Sequence, residues 1–291
     1  MDTRLAKLLA DDAEIEQIAT GFGFTEGPAW CDKGDFLVFS DVPGNALWRW
    51  DAVDGVREYR RPSNMGNGST YDAQGRLITC EHATSRVVRE ENGQVTVLAD
   101  QFGGRELNSP NDVVVARDGR IYFTDPTYGR QEFYGVPREP SQPYRGLYRL
   151  RTTGDLDLLA SDFGQPNGLC FSLDERVLFV NDTDGMHIRA FRITPDASLS
   201  GGDVWADLSP YSEEGPGAPD GMKIDVEGDI YCVGPGGVHV FDPAGDHLGS
   251  VKSPETVGNF AWGEHDRLSL FICASTSLYR IMTRVPGYQP Y

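Results

Sequence analysis

The sequence predicts an all-β fold, a six-bladed β-propeller with four-stranded blades. Two observations lead to this prediction. Short runs of β-branched and aromatic residues alternate with glycine and proline along most of the 291 residues. A pattern of strand, turn and strand also recurs six times. The first observation alone would suit a β-sandwich or a barrel equally well.

The six repeated units start with a polar residue at the mouth of a strand. The starting residues are Glu26, Asn67, Asn111, Asn167, Asp220 and Asn259. They lie 41, 44, 56, 53 and 39 residues apart, spacings that suit one four-stranded blade per unit. Six such blades arranged in a ring leave few open sheet edges.

The turn of each unit lies at the far end of its hairpin from the starting residue. Its second residue is glycine in four of the six units, as expected for a hairpin turn. Turn formation also explains the glycine that follows some starting residues, because Asn-Gly and Asp-Gly favour turns. It does not explain why the starting side chains themselves are polar.

We expect residues 1–291 to form a single propeller domain. Residues 2–12, within an N-terminal segment of about 1–12, are predicted as a short helix or a tail. Residues 14–22 are predicted to add the outer strand of the last blade and close the ring. The longest interval between units contains an insertion at 126–146, which is rich in proline, tyrosine and arginine.

Composition restricts the partners that we expect. The 44 acidic and 26 basic residues give a net charge of −18, which argues against nucleic acid and anionic membranes as partners. The chain has neither the apolar core of a signal peptide nor an apolar run of about 20 residues, so we expect a cytoplasmic protein. Its five cysteines form no C-x-x-C motif and are predicted to be reduced and buried. The sequence makes no prediction about oligomeric state.

If the first strand of each unit lines the channel, the six starting residues form a ring at its mouth. Every member of that ring offers a side-chain oxygen, and oxygen ligands suit Ca²⁺ best, with Mn²⁺, Zn²⁺ or Mg²⁺ as alternatives. The other interpretation is that asparagine and aspartate cap strand ends by bonding local backbone.

The second strand of each unit returns to the same mouth and brings further polar residues there. Asp125 is a candidate general base, and Glu81 and His82 are candidates for contacting a substrate. The insertion follows Asp125 and is predicted to form one wall of a pocket, where Tyr128 is a candidate for binding a substrate and Arg130, Tyr134, Arg138 and Tyr144 are candidates for facing it. No nucleophile elbow or zinc-protease motif occurs, so a metal-activated water is the more economical nucleophile.

Four motifs resemble those of the family of gluconolactonases, senescence marker proteins and luciferin-regenerating enzymes. They are FTEGPAW from Phe24, SPNDVVVARDGRIYFTDPTYG from Ser109, QPNGLCFSLDERVLFVNDT from Gln165 and PDGMKIDVEGDIYC from Pro219. The resemblance covers the chain from Glu26 to the last blade. It implies a six-bladed propeller with a divalent metal, usually calcium, in the central channel.

The resemblance also implies roles for single residues. Glu26, Asn167 and Asp220 match metal-binding positions, and Asn111 matches a fourth position that completes the coordination or contacts substrate. Asp125 and Asp220 remain alternatives for the acid–base role.

The implied reaction is hydrolysis of a sugar lactone, with a small aldonolactone as the substrate. Two alternatives stay open: hydrolysis of phosphotriesters or organofluorophosphates at the same metal site, and a non-catalytic, calcium-stabilised binding propeller.

Overall fold

The computed structural model describes residues 4–11 and 13–290. Six four-stranded antiparallel sheets follow one another along the chain. In the first five, the strands are arranged in sequence order from the innermost to the outermost. In the last sheet the outermost strand comes instead from the N-terminal part of the chain. The predicted six-bladed β-propeller with four-stranded blades is therefore confirmed. Every blade has the meander topology that short hairpin loops impose.

The first three blades contain strands β2 to β9 and β12 to β15. Blade 1 contains β2 (Thr25–Cys31), β3 (Phe36–Asp41), β4 (Ala46–Asp51) and β5 (Gly55–Arg60). Blade 2 contains β6 (Gly66–Tyr71), β7 (Leu77–Glu81), β8 (Arg86–Glu91) and β9 (Gln94–Ala99). Blade 3 contains β12 (Val113–Val115), β13 (Ile121–Asp125), β14 (Gly146–Leu150) and β15 (Leu156–Ala160). Between blades 2 and 3 lies a small ribbon of β10 (Gln101–Phe102) and β11 (Arg105–Glu106).

The other three blades contain strands β16 to β26 together with β1. Blade 4 contains β16 (Pro166–Phe171), β17 (Val177–Asp182), β18 (His187–Ile193) and β19 (Leu199–Asp207). Blade 5 contains β20 (Met222–Ile224), β21 (Ile230–Gly234), β22 (Gly237–Phe241) and β23 (His247–Lys252). Blade 6 contains β24 (Val257–Gly263), β25 (Ser269–Ala274), β26 (Ser277–Met282) and, outermost, β1 (Glu16–Thr20).

Strand β1 joins the two ends of the ring. It pairs antiparallel with β26, with Glu16 opposite Arg280 and Thr20 opposite Ser277. Blade 6 is thus built from both ends of the chain.

Helix is confined to short 3₁₀ turns in the part of the chain that the structure describes. They are Leu5–Lys7, Tyr128–Arg130 and Ser209–Glu214. The helix predicted over residues 2–12 is shorter than expected, because Leu9 already pairs with Thr283 in a β-bridge. Residues 2, 3 and 12 of that prediction lie outside the described residues. No described helix has the length and apolar character needed to cross a membrane.

The core consists of six apolar layers, one between each pair of neighbouring blades. Between blades 6 and 1, for example, Trp30 stacks on Phe271 with ring centroids 5.8 Å apart. All five cysteines are buried and unpaired, as expected. Because both faces of every blade are covered in this way, the polar residues of the inner strands are held at fixed positions around the channel.

Candidate active site

Five of the six predicted starting residues line one cavity at an end of the central channel. They are Glu26, Asn67, Asn111, Asn167 and Asp220. Each lies at the start of the innermost strand of its blade, so five consecutive blades bring them together. The cavity has a volume of about 190 Å³. Its other lining residues are Phe24, His82, Tyr128, Tyr134, Thr183, Gly217, Ala218, Pro219, Thr256 and Val257.

The sixth member of the ring is Gly258, and the prediction of Asn259 is wrong by one residue. The backbone amide of Gly68 donates to the carbonyl of Asn111 in the next blade over 2.8 Å. The equivalent bond between blades 5 and 6 runs from Gly221 to Gly258 over 2.9 Å. Sequence reasoning missed this shift because glycine offers no side chain to align.

Asn259 instead occupies the position that Asp112 holds in blade 3. In both residues the side-chain Oδ1 accepts the backbone N–H of the following residue, Phe260 or Val113, over 2.9 Å. Asn259 and Asp112 therefore form part of a second layer, one residue deeper in the channel than the ring.

The glycines that follow the starting residues allow the blades to approach one another closely. A Cβ atom on Gly27 would lie 1.8 Å from the carbonyl oxygen of Asn67, and one on Gly168 would lie 2.2 Å from that of Asp220. Such separations are impossible for a side chain. Packing around the channel therefore requires glycine at these positions.

Two carboxyl groups dominate the electrostatics of the cavity. Burial and, to a smaller extent, the charge of Asp112 raise the pKa of Glu26 to about 7. The Gly27 amide and the Asn259 side chain oppose that rise by donating to Glu26 Oε2, Asn259 over 3.1 Å. Burial and the neighbouring Glu26 raise the pKa of Asp220 well above its usual range. The two groups are therefore difficult to ionise together unless positive charge comes to them.

His82 lies in the wall of this cavity and is neutral at physiological pH. Its Nδ1 lies 2.8 Å from the carbonyl oxygen of Tyr134. A carbonyl only accepts hydrogen bonds, so Nδ1 carries the hydrogen and Nε2 is unprotonated. Burial lowers the pKa of His82 to about 4.

The insertion at 126–146 contributes Tyr128 and Tyr134 to the cavity. Tyr134 packs edge-on against Phe24, with ring centroids 5.3 Å apart. The two arginines are not in the lining: Arg130 donates to the Asn108 carbonyl over 2.6 Å, and Arg138 donates to Ser85 Oγ over 2.6 Å. They fix the loop in place, and Tyr144 packs against the apolar layer between blades 2 and 3.

Asp125 has a structural environment. It is fully buried and is not among the lining residues, and its two oxygens accept the backbone amides of Asn108 and Ser109 over 2.8 and 2.7 Å. At the equivalent position of blade 4, Asp182 also accepts two backbone amides on its two oxygens, and in blade 1 Asp41 accepts two on Oδ1 alone. This repeated arrangement clamps the chain before each inner strand, and the predicted catalytic role is not favoured by it. Burial raises the pKa of Asp125 to about 7.

Glu81, predicted to contact a substrate, is also fully buried and outside the lining. Its carboxylate accepts hydrogen bonds from Arg86 Nε over 2.6 Å and from Thr84 Oγ1 over 2.7 Å. Of the predicted substrate-contacting residues, the structure brings Asn111, His82 and Tyr128 together at the cavity and leaves Glu81 behind it.

Comparison with known proteins gives a consistent result. Residues 24–276 match the profile of the SMP-30/Gluconolactonase/LRE-like region. A gluconolactonase from Zymomonas mobilis is 30% identical over 305 residues, spanning 98% of this chain and 85% of the relative.

Solved structures are similar to this chain as well. A gluconolactonase from Xanthomonas campestris superimposes with a TM-score of 0.90 at 33% identity, covering 97% of this chain and 93% of the other. A calcium-binding protein, regucalcin, from Agrobacterium tumefaciens shares the fold, with a TM-score of 0.79 at 17% identity and coverage of 95% and 96%.

Proposed function

The chain belongs to the SMP-30/Gluconolactonase/LRE-like family, and we propose that it is a lactonase that opens the ring of a sugar lactone with the help of a divalent cation. Two of its relatives are gluconolactonases. The substrate is a small polyhydroxylated lactone, which suits a cavity that is lined by both amide and aromatic side chains.

One observation supports the proposal most strongly. The carboxyl groups of Glu26 and Asp220 converge with three asparagine side chains on one cavity, and no lysine or arginine is among its described lining residues. Two neighbouring carboxylates with no counter-charge in the cavity lining are unfavourable, whereas a divalent cation between them would neutralise both. Carboxylate and amide oxygens are ligands that calcium prefers.

The residues present therefore fit a calcium ion. Glu26, Asn167 and Asp220 would hold it, with Asn111 as a fourth oxygen donor. Among the described residues no group of three His, Cys, Asp or Glu side chains gathers to hold a metal, so amide oxygens have to complete the set. The relative from Agrobacterium tumefaciens is described as calcium-binding, which agrees with this choice of ion. When bound, the cation would polarise the lactone carbonyl and stabilise negative charge on its oxygen.

The protein's own side chains carry the proton. We assign the general base to Asp220, because it is partly open to the cavity while Asp125 is buried behind it. Asp220 takes a proton from water as the water oxygen bonds to the lactone carbonyl carbon. The bond from that carbon to the ring oxygen then breaks, and the proton passes from Asp220 to the ring oxygen, giving the open hydroxy acid.

The side chains of Asn111 and Tyr128 orient the sugar, because the carboxamide and the phenol can each donate and accept a hydrogen bond. His82 shapes the cavity wall beside them, with its unprotonated Nε2 buried. Tyr134 and Phe24 add an apolar wall against which the carbon face of a sugar ring can pack.

The direct test is a pH-stat screen of aldonolactones with metal-stripped protein, to which Ca²⁺, Mn²⁺, Mg²⁺ or Zn²⁺ is returned. Asp220→Asn and Glu26→Gln should each lower kcat/KM by about a hundredfold or more, because both remove charge from the cation site. Asp246→Asn, which removes an exposed carboxylate outside the cavity lining, is the matched control and should keep full activity.

Two outcomes would contradict the proposal. Unchanged turnover in the presence of chelator would exclude the cation from the reaction. Calcium binding without turnover of any lactone would favour a binding propeller instead.

A further inference from the structure

One lysine reaches into the channel beneath the cavity. Lys223 Nζ donates to Asn259 Oδ1 and to the carbonyl of Met222, both over 3.2 Å. It also lies 3.7 Å from Asp112 Oδ2. Asp112 belongs to blade 3 and Asn259 to blade 6, on opposite sides of the ring, so Lys223 bridges the second layer of the channel.

Asp112 depends on this lysine for charge compensation. Its carboxyl group is 2% exposed, and Oδ1 accepts the Val113 amide over 2.9 Å. Its Oδ2 is buried and accepts no hydrogen bond from any described residue, so the Lys223 ammonium at 3.7 Å is the positive charge that faces it. A buried carboxylate without such a partner would be strongly unfavourable.

The pair is close enough to the cavity to influence its carboxyl groups. The charge of Asp112 raises the pKa of both Glu26 and Asp220, and the charge of Lys223 lowers that of Glu26. The three carboxylates and one ammonium give the channel a formal charge of −2 when all are ionised. A divalent cation neutralises that charge.

We propose that Lys223 sets the valence of the cation that the site accepts, because its ammonium offsets the charge of Asp112 and leaves the channel with the two negative charges of Glu26 and Asp220, which match a divalent ion. This inference rests on the cation site of the proposed function and adds a selectivity to it. Lys223 touches neither the cavity nor a proposed ligand directly and acts through the field of the pair. It is a positioning residue.

The expected effect follows from Coulomb's law. Removing one positive charge changes the energy of a bound cation in proportion to that cation's own charge, so a trivalent ion gains more than a divalent one. At an effective dielectric constant of about 20, a unit charge roughly 10 Å away changes affinity about tenfold per unit of cation charge. Lys223→Met should therefore raise the preference for Tb³⁺ over Ca²⁺ about tenfold.

The experiment measures Kd for Ca²⁺ by calorimetry and for Tb³⁺ by luminescence, at pH 7 and constant ionic strength. Lys223→Arg, which keeps the charge, should keep the wild-type ratio of the two constants. Asp112→Asn should shift the ratio about tenfold in the opposite direction. The double variant with Lys223→Met and Asp112→Asn removes both charges and should return to the wild-type ratio. Melting in chelator shows which variants are folded.

The outcomes separate this inference from the proposed function. If the unmodified protein binds no Ca²⁺, or if the Glu26→Gln variant binds Ca²⁺ as tightly as the unmodified protein, both the cation site and this inference are wrong. If the unmodified protein binds Ca²⁺ but Lys223→Met and Lys223→Arg give the same ratio, only the inference falls, and Lys223 is a packing residue. Should Lys223→Met not fold, Asp112→Asn alone decides, because an unchanged ratio there overturns the inference too.

Discussion

Replacing His82 by glutamine should change how the stability of the protein depends on pH. The imidazole is 1% exposed, and its Nδ1 hydrogen is committed to the Tyr134 carbonyl. Nε2 has no hydrogen-bond partner among the described residues, so a proton added there would meet no acceptor. The folded protein therefore resists protonation of His82.

The magnitude follows from the two pKa values. His82 titrates at about 4 in the folded protein, against 6.5 for a free histidine. As pH falls below 6.5 the unfolded chain takes up this proton first, so stability present at pH 7.5 is lost progressively until about pH 4. One pH unit corresponds to about 1.4 kcal/mol, so the whole loss attributable to His82 is about 3 kcal/mol.

The assay is urea unfolding of the unmodified protein and of His82→Gln at pH 7.5, 6.5, 5.5 and 4.5, all in chelator. Carboxylates titrate in both proteins, so the difference between their free energies of unfolding isolates the histidine. That difference should move in favour of the variant by about 2–3 kcal/mol between pH 7.5 and 4.5.

His265→Gln removes an exposed imidazole from blade 6 and serves as the control, for which we expect curves parallel to those of the unmodified protein. Parallel curves for His82→Gln as well would refute the reasoning. They would mean that His82 binds its proton equally in the folded and unfolded chains.

Three further predictions concern the frame around the cavity. Gly27→Ala should lower the free energy of unfolding by about 3 kcal/mol or more, because its Cβ would overlap the Asn67 carbonyl. Gly93→Ala has open space at a φ of +77° and should lower it by only about 1 kcal/mol, and equal losses in urea titrations would contradict the packing explanation. Asp125→Asn should lower the free energy of unfolding by about 1–3 kcal/mol, because the new amide group would face a backbone N–H. The kcat of the folded enzyme should stay the same. A hundredfold fall in kcat without loss of stability would instead support a catalytic role for Asp125. A thiol reagent such as Ellman's should modify the native protein no faster than it unfolds, because all five cysteines are buried; rapid modification of even one would show local opening.

The propeller could be predicted because the pattern of strand, turn and strand recurs in all six blades. The second strands end at Asp41, Glu81, Asp125 and Asp182, where counting from the starting residues places them. The alignment of the starting residues failed in the last blade, where a glycine holds the ring position and the adjacent Asn259 offered the only side chain to align.

The site could be predicted only in part. The position of a residue in its blade predicts the end of the channel at which it lies, but not the direction in which its side chain points. Asp125 returns to the expected end and then turns to the backbone amides of Asn108 and Ser109. Arg130 and Arg138 lie in the predicted wall segment and point away from the cavity. The Lys223–Asp112 pair joins residues 111 positions apart from two different blades, a contact that no local pattern encodes.

The closure of blade 6 has a consequence for the order of folding. The side chains of Gln17 and Tyr279 that meet across β1 and β26 are 262 residues apart in sequence. During synthesis β1 is made before blades 1 to 5, and it stays unpaired until β26 has been made. An unpaired strand promotes aggregation when it is apolar. Strand β1 reads EQIAT and stays largely open to solvent even in the finished ring, so it is a segment that can remain unpaired in water until the last blade arrives.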